Sequence, residues 1–338
     1  MKVSVFVPSH ITGFFSIYHN KNPLKKGSCG AGILIDKGVT TTLKTLKIDD
    51  KTDFKSNFIN DKSITNDSID ITINGKKDTA NEIITLKTIE ILQRNFKSEL
   101  PKIFNHKIAI EHDINIPVRA GFGTSASCAL GTAIGISKLF NLPISKTEAG
   151  QIAHFAELEL KSGLGDVLSQ TSKGIVIRES PGAPGIGKTK NISYYHNIED
   201  SIKEEKIIKN EKNDFSDIYV VSKTFGEIDT SSIIQDPHKI KKINEIGLSM
   251  QKKIVANPSV QNFIDCSYEF AKKTELMTDE ISAIVEDLKK YTIGSSMAML
   301  GNTVFSLSKK ENLHNIKDID NFTISKIYND GIKINAKI

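Results

Sequence analysis

Residues Pro117–Phe140 read PVRAGFGTSASCALGTAIGISKLF, and the stretch changes character halfway along. Its first part is punctuated by Gly121 and Gly123, which allow a sharp turn and close approach of a ligand to the backbone. Thr124, Ser125, Ala126 and Ser127 follow, with hydroxyls around what should be the first turn of a helix. From Ala126 onward small and aliphatic residues dominate, as in a helix packed on most sides. Gly131 and Gly135 stand one turn apart and would admit a close neighbour, and Asn141 and Pro143 end the run. A glycine loop feeding a buried helix is an anion site, because free N–H groups and the helix dipole both point at the ligand. The ligand that fits is a nucleotide phosphate, with a hydroxyl for its metal ion. A bare glycine turn capped by Ser and Thr is the plainer reading, so the surroundings must decide.

Upstream, Lys107–Ile116 alternates as a strand that leads directly into the loop. Downstream, Ser145 with Glu148 three residues on forms a capping box. The helix it opens carries Ala149, Ile152, Ala153, Ala156 and Leu160 on one stripe. Glu157 and Glu159 flank that stripe at similar angles, and periodicity does not choose between them. Gly163-Leu164-Gly165-Asp166-Val167 then holds an acid in a second glycine-lined loop. Phosphoryl transfer to an alcohol needs a phosphate cradle, a metal ligand and a base. Ser125 or Ser127 with Glu157 suits Mg²⁺, a hard cation that takes oxygen ligands, and Asp166 suits the proton; an Asp that merely caps a turn is the alternative.

A literal Walker A match, Gly182-Ala-Pro-Gly-Ile-Gly187-Lys188-Thr189, competes with the first loop. A P-loop needs a strand before it and a helix after it. Gly174–Arg178 reads as the strand, but Lys190–Asn197 is β-like or irregular, and Pro184 removes an N–H that the cradle would use. Residues 181–187 therefore read as a boundary or a substrate-lining connection.

The chain of 338 residues is 38% hydrophobic and 25% charged, with a net charge of +5. That composition is globular and sufficient for two domains. Lysines interleave with Glu and Asp as on a solvated face, so nucleic acid is not expected as a partner. The three cysteines, Cys29, Cys128 and Cys266, are too few and too scattered for a disulfide framework or a zinc site, which suggests a reducing, cytoplasmic setting. MKVSVFV alternates like a strand and carries no signal-peptide pattern, and no apolar run is long enough to span a membrane.

Along the chain, Lys2–Val7 reads as a strand running into a polar turn at Pro8–Gly13, and Lys26–Gly32 as a small-residue loop before a β-rich stretch. Asp49–Ser68 reads as a surface excursion. Ile69–Ile73 is a strand ended by a hairpin signal at Asn74-Gly75, and Thr79–Phe96 is a helix. A charged linker at Asn197–Asp214 precedes a strand at Asp217–Val221. Helical patterns fill 230–256 and 259–290. Ser295–Leu307 is a small-residue turn, and the chain ends in a hairpin about Asp330-Gly331.

PVRAGFGTSAS resembles the second motif of the GHMP kinases, with Phe122 for the usual Leu and Thr124 for the first Ser. VFVPSHITGFF resembles their first motif, with His10 where mevalonate kinases carry Lys, so that Lys's charge-stabilising role is not transferred. Met299-Leu300-Gly301-Asn302-Thr303 stands for the third. PSHITGFF, GSCGAG, AHFAE with SGLGDV, SPGAPGIGK and AMLGNTVF together are similar to the archaeal pantoate kinase branch. The resemblance implies an α+β GHMP kinase fold: a ribosomal-S5-like N-terminal domain over 1–190 and a ferredoxin-like C-terminal domain over 191–338. It implies ATP and Mg²⁺ as cofactors, pantoate as the phosphoryl acceptor and a homodimer. It assigns Glu157 to the metal and Asp166 to catalysis. His10, Gly30, Gly32, Arg178, Lys188, Gly301 and Asn302 are the substrate-side candidates; the Gly27–Gly32 loop, Arg178 and Lys188 are those suited to a carboxylate. The competing expectations are a kinase of homoserine or a mevalonate-type alcohol, a nucleotide-binding protein without catalysis, and a P-loop ATPase.

Overall fold

The computed structural model describes residues 1–46, 69–78, 82–96, 107–192, 215–226 and 236–337. Two long antiparallel strands, β1 (Lys2–Tyr18) and β2 (Gly27–Leu46), form the spine of a seven-stranded sheet. This corrects the sequence reading, which places a turn at Pro8–Gly13 and a loop at Lys26–Gly32. Ser9, His10 and Ser28 are polar but buried, so their polarity marks a site inside the fold rather than a solvated turn. Register shifts at Pro8/Ser9 and Thr12/Phe14 absorb the irregularity without ending the strand.

Strand β2 changes partners midway. Gly30–Ile33 pair with β5 (Ile175–Ser180), and Val39–Leu46 pair with β4 (Lys107–Ile114). β3 (Ile69–Ile73) runs parallel to β4, so the intervening α1 (Ile83–Asn95) is a crossover and Asn74-Gly75 is a turn without a hairpin partner strand. β6 (Lys188–Asn191) pairs with β5. The Walker-like run is therefore the connection of a β-hairpin, with no helix to receive a phosphate. The expected excursion at 49–68 and the charged linker at 197–214 lie outside the described residues.

On one face lie α2 (Thr124–Leu139) and α3 (Lys146–Leu160), packed on each other and on α1. α2 is buried along nearly its whole length, as its small residues require. α3 opens with both bonds of the Ser145–Glu148 capping box in place. A short helix, α4 (Asp166–Gln170), follows directly.

The second sheet contains β7 (Ile218–Gly226), β8 (Gly294–Met297), β9 (Asn302–Lys309) and β10 (Thr323–Lys326) in the order β10-β7-β9-β8. Its helices are α5 (Pro237–Ala256), α6 (Val260–Lys273) and α7 (Asp279–Leu288). The pattern at 259–290 thus divides in two: Glu275 takes a left-handed conformation and Thr278 caps a new helix. The last strand, β11 (Lys333–Lys337), pairs with β1, so Asp330-Gly331 links the two sheets instead of turning a hairpin. The chain end therefore belongs to the first sheet, and residues 191–338 are not one consecutive unit. α5 and α6 pack against β1, and the Asn244 amide bonds both backbone groups of Ile17, at 2.6 and 3.1 Å. The α+β class stands. Among the described residues no helix is long and apolar enough to cross a membrane, and the three cysteines are free and buried.

The contact of α2 with β2 yields a test. A Cβ on Gly131 would lie 2.2 Å from Thr41 Oγ1 and 2.8 Å from Thr41 Cβ. Thr41 cannot easily retreat, because its hydroxyl is bonded to the buried His112 at 2.9 Å. A Cβ on Gly135 would meet Leu43 Cδ1, the end of a flexible side chain, at 2.1 Å. Alanine gains about 1 kcal/mol of helix propensity over glycine, whereas overpacking costs about 1–3 kcal/mol. Gly131→Ala should therefore lower stability by about 1–2 kcal/mol in urea melts, and Gly135→Ala by less. Equal stability of both variants and wild type would mean that the helix does not press on the strand there.

Candidate active site

A cavity of about 630 Å³ opens over the N-terminus of α2, between the first sheet and the turn that joins β8 to β9. One end is aliphatic, lined by Ile73, Ile83, Ile84, Ile114, Val118 and Leu160; the other carries Thr12, Ser28, Ser162, Asp166 and Arg178. Gly121, Gly123, Thr124 and Ser125 form the rim between them. Gly123 is the N-cap of α2 with φ 63°, and no side chain caps the helix. The amides of the first turn are thus left for a ligand, and a glycine is needed for the left-handed entry. Ala126 and Ser127 lie behind the rim, fully buried.

The loop is clamped from behind. His10 N donates to Phe122 O at 3.0 Å, and Thr303 Oγ1 donates to Ala120 O at 2.8 Å. Gly301 backs so closely onto Ala120 that a Cβ would lie 2.1 Å from its carbonyl oxygen. Gly301 therefore buttresses the loop, and neither it nor Asn302 lines the cavity; the third motif reaches it through Met299 and Leu300.

The two serines separate. Ser127 Oγ donates to Gly123 O at 3.2 Å and accepts from Gln170 Nε2 at 2.9 Å, with no exposure. Ser125 lines the cavity, close enough to Glu157 to favour its charged form. Glu157 and Glu159 separate equally. Glu159 is on the surface, bonded to Arg94 at 2.6 Å, while Glu157 is only 2% exposed. Its Oε1 accepts from Ser162 Oγ at 2.7 Å, and its Oε2 has no partner. Burial pushes its carboxyl up to about 7, against the hydrogen bonds of Ser162 and Ser125. A buried carboxylate with an orphaned oxygen beside the Ser125 hydroxyl fits a divalent cation whose remaining ligands come from phosphate and water. Among the described residues no group of three acids, histidines or cysteines could hold a metal alone.

Asp166 opens α4, one quarter exposed at the polar end of the cavity. The space beside Gly163, where a Cβ would sit, lies 1.9 Å from Glu157 Oε2 and 3.7 Å from Asp166 Oδ2. The two carboxylates are therefore placed to act on one ligand. Burial works to raise the Asp166 carboxyl, but the hydrogen bond of His10, the charge of Arg178 and the Thr12 hydroxyl outweigh it and hold the group below its ordinary range.

Arg178 is buried, its Nη1 donating to Ser169 Oγ at 2.8 Å while its Nε has no partner. Among the described residues no carboxylate forms an ion pair with it. Burial works to lower the guanidinium and Asp166 to raise it. Gly30 and Gly32 lie within β2 and do not line the cavity. Lys188 is exposed at the start of β6, also outside it. His10 stands behind Asp166, fully buried. Thr12, Ser28, Ser162 and Gln170 carry parts of the site that sequence reasoning did not single out. Buried polar positions on β1 and β2 were the available signal, since an alternating strand that keeps Ser, His and Thr inward has a use for them.

The match to a family model agrees with this geometry: residues 84–174 fit the GHMP kinases N terminal domain. Pantoate kinase of Methanocaldococcus jannaschii is 36% identical over 93% of this chain and 96% of its own length. Pantoate kinase of Thermococcus kodakarensis is 29% identical over 99% and 98%. A solved structure described as a phosphotransferase related to the CoA biosynthesis pathway superposes with a TM-score of 0.78 at 28% identity, covering 99% of both chains.

The raised Glu157 carboxyl has a measurable consequence. An acid that is harder to ionise folded than unfolded makes the unfolded chain lose its proton first as pH rises, so stability falls between the two values. For Glu157 the window runs from 4.5 to about 7, and the loss is roughly 3 kcal/mol across it. In metal-free buffer, the stability of Glu157→Gln relative to wild type should rise by that order between pH 4.5 and pH 7.5. A difference independent of pH would show that the carboxyl is not desolvated.

Proposed function

The chain belongs to the pantoate kinases of the GHMP kinase family, and on that premise we propose that it transfers the γ-phosphoryl group of ATP to the primary hydroxyl of pantoate, yielding 4-phosphopantoate and ADP for coenzyme A synthesis. The observation that carries the reading onto this chain's residues is the convergence of Asp166 and the uncapped N-terminus of α2 on one cavity, with the buried Glu157 carboxylate just behind its wall at Gly163.

The aliphatic end suits the adenine, and the glycine rim then takes the phosphates on the amides of Gly123–Ser125. Glu157 Oε2 and the Ser125 hydroxyl are the protein ligands available to Mg²⁺, which when bound offsets the negative charge of the β- and γ-phosphates. Arg178, with its unpartnered Nε, is the group for the acceptor's carboxylate. Ser28 lines the cavity beside it. An acceptor held there presents its hydroxyl between Asp166 and the γ-phosphorus.

The proton of that hydroxyl passes to an Asp166 carboxylate oxygen as the new P–O bond forms and the bond to the β–γ bridging oxygen breaks. A carboxylate held below its ordinary range is a weak base. It serves because the transition state is loose and the attacking oxygen becomes acidic only once bonding to phosphorus has advanced. Until then Asp166 orients the alcohol by accepting its hydrogen bond. The aliphatic wall excludes water, which would otherwise compete as acceptor.

Purified protein with ATP, Mg²⁺ and, separately, pantoate, homoserine and mevalonate should yield phosphorylated product with pantoate. Product with another alcohol alone would reassign the acceptor. Asp166→Asn should fall by about 10²- to 10⁴-fold in turnover, with ATP and pantoate affinity changed far less, because the lost interaction belongs to the transition state. Near-normal turnover of a folded Asp166→Asn would leave Asp166 as a helix-capping residue.

A further inference from the structure

The mechanism above uses Asp166 but not the side chain behind it. His10 lies in the bulged middle of β1 with no exposure, and each ring nitrogen meets one charged partner of fixed character. Nδ1 is 2.7 Å from Asp166 Oδ1. Nε2 is 3.4 Å from Arg178 Nη1. A guanidinium has only hydrogens to offer, so Nε2 must accept. The single proton of a neutral ring is thereby placed on Nδ1, from which it is donated to Asp166. Thr12 Oγ1 stands 3.5 Å from the same carboxylate oxygen and 3.3 Å from Nδ1. Asp166 Oδ1 is occupied, and Oδ2 is the oxygen turned toward Gly163 and Glu157.

The stack is built into the backbone on both sides. A Cβ on Gly32 would lie 2.1 Å from His10 Nε2, and one on Gly165 would lie 2.8 Å from Arg178 Nε. Two glycines thus clear the volume that the imidazole and guanidinium occupy, which explains their presence in a strand and a helix cap where neither φ is positive.

We propose that His10, locked by Arg178 as the Nδ1–H tautomer, is a positioning residue that fixes Oδ1 of Asp166 and so aims Oδ2 at the acceptor hydroxyl. The inference rests on the reading of Asp166 as the proton acceptor. His10 takes no proton itself. Its Nδ1 already carries one, and a second, on Nε2, would place an imidazolium against the Arg178 guanidinium in a buried site. The transferred proton therefore stays on Asp166 until product leaves. Asp166 and Arg178 are the charged groups that face the ring.

Asparagine places an amide N–H near the Nδ1 position, while glutamine reaches the Nε2 position and leaves Asp166 without its donor. His10→Asn should keep turnover within about tenfold of wild type. His10→Gln should lose about 10²-fold, the scale of a misplaced catalytic group. The KM values for ATP and pantoate should stay within about threefold in both. In the Asp166→Asn background, His10→Gln should cost little more, because the two changes break one interaction. Long-range ¹H–¹⁵N correlation on the wild-type protein should show His10 protonated at Nδ1 only. Equal turnover of the Asn and Gln variants, full additivity with Asp166→Asn, or an Nε2–H tautomer would each overturn the proposal. So would a rise confined to the pantoate KM, which would make His10 a substrate contact. An active Asp166→Asn would instead overturn the reading on which the proposal rests. Circular dichroism of each variant separates these results from misfolding.

Discussion

The short bond between the His10 ring and the Asp166 carboxylate is the interaction on which the rest of the site depends. A carboxylate taken out of water goes neutral unless fixed donors replace the lost solvation. Asp166 receives such donors from His10 and Thr12, with Arg178 close by. Those partners come from β1 and β5, and Asp166 from α4. The sheet must therefore be assembled, with β2 bringing β5 beside β1, before the carboxylate can keep its charge. Glu157 is the contrast. It has only the Ser162 and Ser125 hydroxyls for donors and an oxygen without a partner, so burial dominates and its carboxyl rises. One acid is finished by the protein; the other keeps an open oxygen, the one the proposed function gives to a cation.

What could be read from the sequence follows the same division. The α2 helix, its glycine loop and the Ser145–Glu148 cap were legible, because helix caps and small-residue runs are local and carry their own chemistry. That the Walker-like run lacks a helix directly after Lys188 was legible too, since this is a local fact. The strand character of Pro8–Gly13 and Gly27–Gly32 was not. Ser9, His10 and Ser28 look like turn residues until the tertiary structure buries them, Ser28 against the cavity and His10 behind Asp166. The end of the chain misled for a different reason: Asp330-Gly331 is a turn, but strand pairing on either side of it is set by long-range partners, β7 for one strand and β1 for the other.

Periodicity left Glu157 and Glu159 equivalent, and only the placement of α1 separates them. Arg94 and Lys87 on that helix draw Glu159 into a surface ion-pair cluster, leaving Glu157 to the interior. Likewise Ser125 and Ser127 are two residues apart on one helical turn. Gln170 of α4 occupies Ser127, and that contact had no trace in local sequence. In both pairs the member proposed to act is the one that its neighbours leave less satisfied.

The glycine loop illustrates why a phosphate motif is a property of the whole fold. Glycines alone would give a mobile turn, whose ordering entropy would be charged against ligand binding. Here the loop is held by His10 N on Phe122, by Thr303 on Ala120 and by the close seat of Gly301 on Ala120. The first of these contacts comes from the first sheet and the other two from the second. The same β1 backbone also accepts, at Thr12 O, the amide of Met299 at 2.9 Å. The glycine rim is therefore fixed by both sheets at once, and His10 ties it to Asp166, through its amide to the loop and through its ring to the acid. A shift of β1 against the second sheet would move the glycine rim and Asp166 together, which keeps the proposed cradle and the proposed base in register.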